Sequence, residues 1–159
     1  MTLAGATSWD VRIEELTADD VETQEVVARL LCEAFGDELR YDVERIRSQL
    51  RPSGGTFYRQ FLVARHGDEV VGAGGVKGAD WASNTHLLYL SAVASDARGR
   101  GIAKALVQAR IAWVEHHFEA GRILVSTAHK KRFAALGFRA FSKDGGDGRV
   151  LMIRQFASR

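Results

Sequence analysis

The chain has 159 residues, the length of about one domain, with 46% hydrophobic and 26% charged residues. That balance excludes disorder, a collagen repeat and a whole-chain coiled coil. Lysine and arginine number 22 against 20 acids, and a net charge of +2 does not by itself point to nucleic acid.

Sixteen glycines stand against one proline, so the corners are turned with glycine. The sole thiol, Cys32, excludes an intramolecular disulfide framework and fits a reducing compartment. Residues 1–10 lack the basic and apolar succession of a signal peptide. No apolar run approaches the roughly 18 residues of a membrane span. One domain over residues 1–159, in the cytoplasm, is the expectation.

Val11 to Leu16 is rich in alternating and β-branched residues and predicts a strand. Thr17 then reads as an N-cap, with Asp19 and Asp20 at the positive end of a helix dipole. Val21, Val26, Val27, Leu30, Leu31, Ala34 and Phe35 recur at helical spacing, and Gly36 is a natural stop. A second, short helix fits 42–50, with Val43, Ile46 and Leu50 on one face. A turn at 51–55 follows.

Residues 61–64 and 69–73 predict two strands around His66-Gly67-Asp68, the second running on toward Gly78. Leu87 to Val93 is another strand. Ile102 to about Glu119 predicts an amphipathic helix, with Ile102, Ala105, Leu106, Ala109, Ala112 and Trp113 inward and Gly121 ending it. Ile123 to Ser126 is a strand, and Lys130 to Leu136 a short helix stopped by Gly137. Residues 138–141 and 150–153 predict a last hairpin, its loop Asp144-Gly145-Gly146-Asp147-Gly148 suited to positive φ. The order β-α-α-β-β-β-α-β-α-β-β describes a mixed α/β (α+β) domain, one sheet with helices packed on it.

The segment between the strand ending at Val93 and the helix from Ile102 carries the chemistry: Ser95-Asp96-Ala97-Arg98-Gly99-Arg100-Gly101. The first amides of a helix have no intrahelical partner, and the dipole adds partial positive charge there. Gly99 and Gly101 permit close approach to the backbone, and Arg98, Arg100 and Lys104 add full charges. A phosphate or pyrophosphate is the guest such a site suits. The P-loop pattern fails, because Ile102 follows Gly101. The dinucleotide fingerprint fails as well, because Lys104 stands where its third glycine belongs.

Arg98-x-x-Gly101-x-Ala103 resembles the acetyl-CoA signature of the GNAT superfamily of N-acetyltransferases. The strand from Leu87 to Val93 is similar to that family's fourth strand, and Leu136-Gly137-Phe138 to its Leu-Gly-Phe. The resemblance implies a mostly antiparallel sheet of about seven strands with four helices, in the order read above. It implies that backbone amides of Arg98, Gly99, Arg100, Gly101, Ile102 and Ala103, with Lys104 nearby, cradle the CoA pyrophosphate. Main-chain groups of Ala92 and Val93 would run beside pantetheine as a strand edge does. The acyl group would sit where the strands Leu87–Val93 and Ile123–Ser126 splay apart. The reaction implied is transfer of an acetyl group from acetyl-CoA to a primary amine by direct attack, with CoA as product.

Direct attack needs no cysteine nucleophile, so Cys32 reads as a small buried hydrophobe. The family's usual acid, a tyrosine, would stand at Phe133, which has no proton to give. Ser126, Thr127 and His129 are the donors nearby that remain open for that role. Each has an N-cap or a solvated side chain as its alternative. On the preceding strand Tyr89 occupies the position of the family's base. With an ordinary pKa near 10 it orients a water or an amine rather than taking its proton. His86, one residue off that face, is expected at the strand's exposed start. Removal of the amine proton through water remains an alternative.

The acceptor surface is expected from 37–44, with Asp37, Glu38, Arg40, Tyr41, Asp42 and Glu44, and from Asp80, Trp81, Ser83 and Asn84. Acids there would draw a cationic amine or simply be solvated helix ends. Trp81 and Tyr41 would stack on the acceptor or plug the sheet edge. The partners expected are a small-molecule or peptide amine and, as small members of the family often pair, a second copy in a homodimer. No metal, membrane or nucleic-acid partner is read. Two other classes stay open: a non-catalytic acyl-CoA sensor, which Phe133 keeps alive, and a nucleic-acid binder using Arg98, Arg100, Lys130, Lys131 and Arg132. The second lacks any reading motif or interleaved aromatics.

Overall fold

The computed structural model describes residues 2–3, 9–35, 42–142 and 146–157. Its strands are β1 (Thr2–Leu3), β2 (Val11–Glu15), β3 (Arg59–His66), β4 (Glu69–Gly78), β5 (Thr85–Val93), β6 (Ala120–Thr127), β7 (Arg139–Ala140) and β8 (Val150–Ala157). The helices are α1 (Val21–Phe35), α2 (Val43–Leu50), α3 (Ile102–His117) and α4 (Lys130–Ala134). All expected strands and helices form in the expected order. The two-residue β1, too short to carry a pattern, is added at the edge.

The strands make one sheet in the order β1-β2-β3-β4-β5-β6-β8-β7. Every pairing is antiparallel except that of β5 with β6, which is parallel. A parallel pair needs a long crossover, and α3 supplies it. Each face of the sheet carries its own core. On one side α1 and α2 bury Val27, Leu31, Ile46 and Leu50 with Phe61 and Val63. On the other α3 buries Ile102, Leu106 and Val114 with Leu62, Leu88 and Ile123.

Several local expectations shift. Asp20, not Thr17, caps α1: its carboxylate accepts from the Thr23 amide at 3.1 Å, and residues 17–20 form the turn before it. The inward face of α1 is Thr23, Val27, Ala28 and Leu31, whereas Val21 and Ala34 are exposed. In α2, Asp42 accepts from the Arg45 amide at 2.8 Å as N-cap, and Val43 stays exposed beside buried Ile46 and Leu50. Ala112 of α3 is exposed, and Val107, Arg110, Ile111 and Val114 join the buried set because α3 packs along much of the sheet.

Gly121 does not end α3. Phe118 caps it, and Gly121 lies in β6, where a Cβ would come within 2.4 Å of the Asn84 carbonyl oxygen. The short α4 ends at Ala134 rather than Leu136, and the turn after it closes at Gly137, whose φ is +89°; the Phe138 amide reaches back to the Phe133 carbonyl at 3.0 Å, a Schellman closure. Gly146 and Gly148 have the positive φ expected of the last loop. Gly36, Asp144 and Gly145 lie outside the described residues.

Candidate active site

Parallel pairing of β5 with β6 starts at Thr85 opposite Arg122 and stops at Leu88 opposite Val125. Both strands continue, so the sheet opens between Tyr89–Val93 and Ser126–Thr127. At the opening Leu90 has φ +45°. Opposite it the β4–β5 register slips between Ala73 and Gly75, so Leu90 and Ser91 face Gly74 alone. This is a β-bulge, and a leucine at positive φ stores strain of order 1–3 kcal/mol.

A buried arginine braces the bulge. Arg110 of α3 donates to the carbonyls of Gly75 at 3.0 Å and Leu106 at 3.1 Å, and to Ser91 Oγ at 3.3 Å. Burial pulls its pKa down to about 10, so it stays charged at neutral pH. Gly74 leaves it room: a Cβ there would lie 2.8 Å from the guanidinium carbon. The bulge also breaks the period-two count. Tyr89 and Leu90 both pack toward α1 and α2, while Val93 packs toward α3. Strict alternation would have kept Tyr89 and Val93 on one face.

Beyond the bulge the chain reaches the glycine-rich loop. Gly99 has φ +78° and Gly101 φ +83°, left-handed values that glycine adopts without penalty. Gly101 is the N-cap of α3, and the Ala105 amide is bonded to its carbonyl at 3.0 Å. The amides of Ile102, Ala103 and Lys104 precede that bond and are left for a guest. Arg98, Gly99, Gly101 and Lys104 are exposed, and a Cβ at Gly99 would meet nothing within 4 Å. Arg100 differs from its neighbours: its guanidinium lies 3.6 Å over the Trp9 ring, which stacks on His66 at 4.2 Å. It ties the loop to β3. Ala92 and Val93 are half-buried and lie past the end of the β5–β6 pairing. Open amides, a glycine cradle and an unpaired stretch of strand fit a phosphate-bearing, amide-armed group such as CoA.

The opened sheet borders a cleft of about 510 Å³. Leu87, Leu88, Leu90, Leu124 and Val125 form its floor, and Trp81, Phe141 and Leu151 its exposed rim. Its polar groups are Arg45, Gln49, Lys77, Tyr89 and Ser126. Tyr89 donates to Gln49 Oε1 at 3.1 Å and meets Phe61 edge-on across β4. Gly75 allows that contact, since a Cβ there would lie 2.6 Å from Phe61 and 2.7 Å from Tyr89. Burial raises the Tyr89 pKa, so its phenol stays protonated and is a donor, not a base.

Ser126 is exposed in the cleft, its Oγ 3.4 Å from Arg149 Nε. Thr127 is buried, and its Oγ1 accepts from the His129 amide at 2.9 Å. His129 is exposed at the start of α4 and makes no side-chain cap. Phe133 is buried, edge-on to Phe138 with centroids 5.3 Å apart, in the α3-side core. None of Thr127, His129 and Phe133 lines the cleft.

The exposed place expected for His86 is wrong. It is buried beneath Tyr58, Phe118 and Phe156, with Nδ1 2.8 Å from Tyr58 Oη. Of the described residues expected at the acceptor, only Trp81 lines the cleft. Asn84 instead anchors β6, its carbonyl accepting from the Arg122 amide at 2.9 Å, and Ser83 accepts from Thr85 Oγ1. Asp80 is exposed. Asp42 caps α2, and Glu44 pairs with Arg47 at 2.7 Å, so both are helix-end acids. Asp37, Glu38, Arg40 and Tyr41 lie outside the described residues. Sequence reasoning missed Arg110, Gln49 and Lys77. Lys77 had a signal, as the one charge in the small apolar run Val70 to Val76 and its continuation.

The same fold recurs in solved proteins. Escherichia coli ElaA is 16% identical, with a TM-score of 0.71 over 91% of this chain and 99% of that one. An aminoglycoside 6'-acetyltransferase type Ii is 19% identical, with a TM-score of 0.72 over 92% and 98%. The PaiA N-acetyltransferase of Thermoplasma acidophilum, solved in complex with coenzyme A, is 15% identical, with a TM-score of 0.65 over 92% and 99%. At such identities the likeness is one of fold. No curated protein matches in sequence. The family model described as "Acetyltransferase (GNAT) family" matches residues 23–139, most of the chain. The strand opening, the bulge and the glycine-capped α3 all lie inside that stretch, and the chain belongs to the GNAT acetyltransferase family.

Proposed function

We propose that this protein is an acetyl-CoA-dependent N-acetyltransferase acting on a primary amine by direct attack, in one domain over residues 1–159. The observation that carries the reading is the coincidence of the opened β5–β6 edge with the glycine-capped start of α3. Acetyl-CoA, when bound, supplies the acetyl group that moves to the amine nitrogen, with CoA thiol as the other product. Amides from Arg98 to Ala103 hold the pyrophosphate, with Lys104 and Arg98 adding charge. The edges of Ala92 and Val93 receive the pantetheine arm. Phe133 holds α4 against the core rather than donating a proton. Tyr89 orients through its hydroxyl, and Ser126 is the hydroxyl placed to donate in the cleft. His129, exposed at the start of α4, is the remaining candidate.

Among the described residues lining the cleft there is no carboxylate or imidazole. In this reading water carries the amine proton away, and Lys77 beside the amine helps, because like charge lowers an ammonium pKa. The second reading is an acyl-CoA sensor without catalysis, favoured by the packed Phe133 where the family places a tyrosine. The single thiol and the expected pairing keep a cytoplasmic homodimer as part of the proposal. Among the described residues no helix is long and apolar enough to cross a membrane.

Calorimetric titration with acetyl-CoA, with NAD as control, tests the reading. We expect micromolar acetyl-CoA binding, no NAD signal, and amine-dependent thiol release. Gly101→Glu puts a carboxylate and a Cβ at the N-cap and is expected to abolish CoA binding while the circular dichroism spectrum is kept. Unchanged affinity in a folded Gly101→Glu protein would overturn the cofactor placement. Binding without thiol release for any amine would favour the sensor.

A further inference from the structure

Exposed aromatic and aliphatic groups rim the cleft, and the charged groups among its described lining residues are Arg45 and Lys77. Trp81 is 65% exposed, Phe141 48% and Leu151 40%, three large apolar side chains around one opening. Such a concentration marks a binding surface rather than scattered surface apolarity. Arg45 of α2 and Lys77 of β4 supply the charge. Lys77 is half-buried on the same face as Tyr89, its Nζ 4.4 Å from the centroid of that ring. No carboxylate of a described residue forms an ion pair with it. A half-buried ammonium normally finds an anion, and the ring face supplies only part of what water gave it. Of the described acids of the α2 start, Asp42 caps the helix and Glu44 pairs with Arg47.

We infer that the acceptor is an amine that also carries a carboxylate and an apolar or aromatic side chain, the chemistry of an apolar α-amino acid. Lys77 takes the carboxylate, and Trp81, Phe141 and Leu151 take the side chain. The inference rests on the cleft being the acceptor site of an N-acetyltransferase. A purely cationic amine is disfavoured by the like charge of Lys77, whereas a carboxylate offsets it and is drawn in. The same cation then lowers the pKa of the bound ammonium, which favours the neutral nucleophile. Lysine suits this role because its long stem crosses the apolar floor while its head stays polar.

The test uses two matched pairs, L-phenylalanine with L-phenylalaninamide and L-leucine with L-leucinamide. Each is titrated calorimetrically into the CoA-loaded protein and assayed separately for thiol release with acetyl-CoA. We expect the free acids to bind at least 10-fold more tightly and to react with at least 10-fold higher kcat/KM. Lys77→Met should bring both ratios close to one, chiefly through KM, with CoA affinity as the control for folding. Acetyl transfer with no preference for the carboxylate, or a preference that survives Lys77→Met, overturns the inference and leaves the enzyme reading standing. Carboxylate-selective binding lost in Lys77→Met, but without transfer, supports the recognition and overturns the assignment of these amino acids as acceptors. Neither selective binding nor transfer overturns the inference, while thiol release with other amines decides the enzyme reading separately.

Discussion

His86 sits between Tyr58, Phe118 and Phe156 with almost no exposure, and burial pulls its pKa from 6.5 down to about 4. The unfolded chain therefore binds a proton that the folded one refuses anywhere between those values. Stability is full above pH 6.5 and falls as the pH drops toward 4, by up to about 3 kcal/mol for this one group. Urea unfolding at pH 7.5 and pH 5 should register that loss. His86→Gln keeps an acceptor for Tyr58 but cannot be protonated, and should flatten the difference. An equal pH dependence in the variant would mean that other groups dominate. Tyr89 shows the same physics with the opposite chemical result. Burial favours its neutral phenol, so it donates to Gln49 and takes no proton from a substrate.

Between β5 and β6, the pairing that sets the opening begins where Gly121 lies against Asn84. Asn84 has φ +51°, and its carbonyl accepts from the Arg122 amide at 2.9 Å. A Cβ on Gly121 would meet that oxygen at 2.4 Å, a backbone atom with little room to yield. Gly121→Ala is expected to cost about 2 kcal/mol or more, in the range of overpacking penalties. It should lower acetyl transfer too, because the parallel register sets where the strands part. The urea midpoint measures the first effect and thiol release the second. The other end of the opening is held by Arg110, whose three hydrogen bonds bridge β4, β5 and α3 across the bulge.

For the molecule as a whole, a ligand that binds only the folded chain stabilises it by mass action. Acetyl-CoA at 100 times its Kd should add about 2.7 kcal/mol. At roughly 2–4 °C per kcal/mol for a chain of this size, Tm should rise by roughly 5–10 °C. Scanning calorimetry with acetyl-CoA, and with NAD as control, makes the comparison. Equal shifts with both would contradict a CoA-selective site.

The element order, the glycine-rich loop at the start of α3 and the family were legible because each rests on local information. Strand alternation, helical spacing and glycines at a strand-to-helix junction are all short-range patterns. Arg98, Gly99 and Gly101 stand exposed on the loop and Lys104 in the first turn of α3, which Gly101 caps. Element ends were less legible: Asp20 displaced Thr17 as the α1 cap because two acids compete within one turn. What only the tertiary structure decided depends on residues far apart in sequence. The bulge at Leu90 exists through its contacts with Gly74 and Arg110, and it moves Val93 to the opposite face from Tyr89. His86 became a core residue through Tyr58, Phe118 and Phe156, none of them a sequence neighbour. The cleft brings Arg45 of α2 and Lys77 of β4 into one lining, and they stand far apart in the chain. Period and propensity act within one element, whereas burial and charge environment are set by whichever elements the sheet brings together.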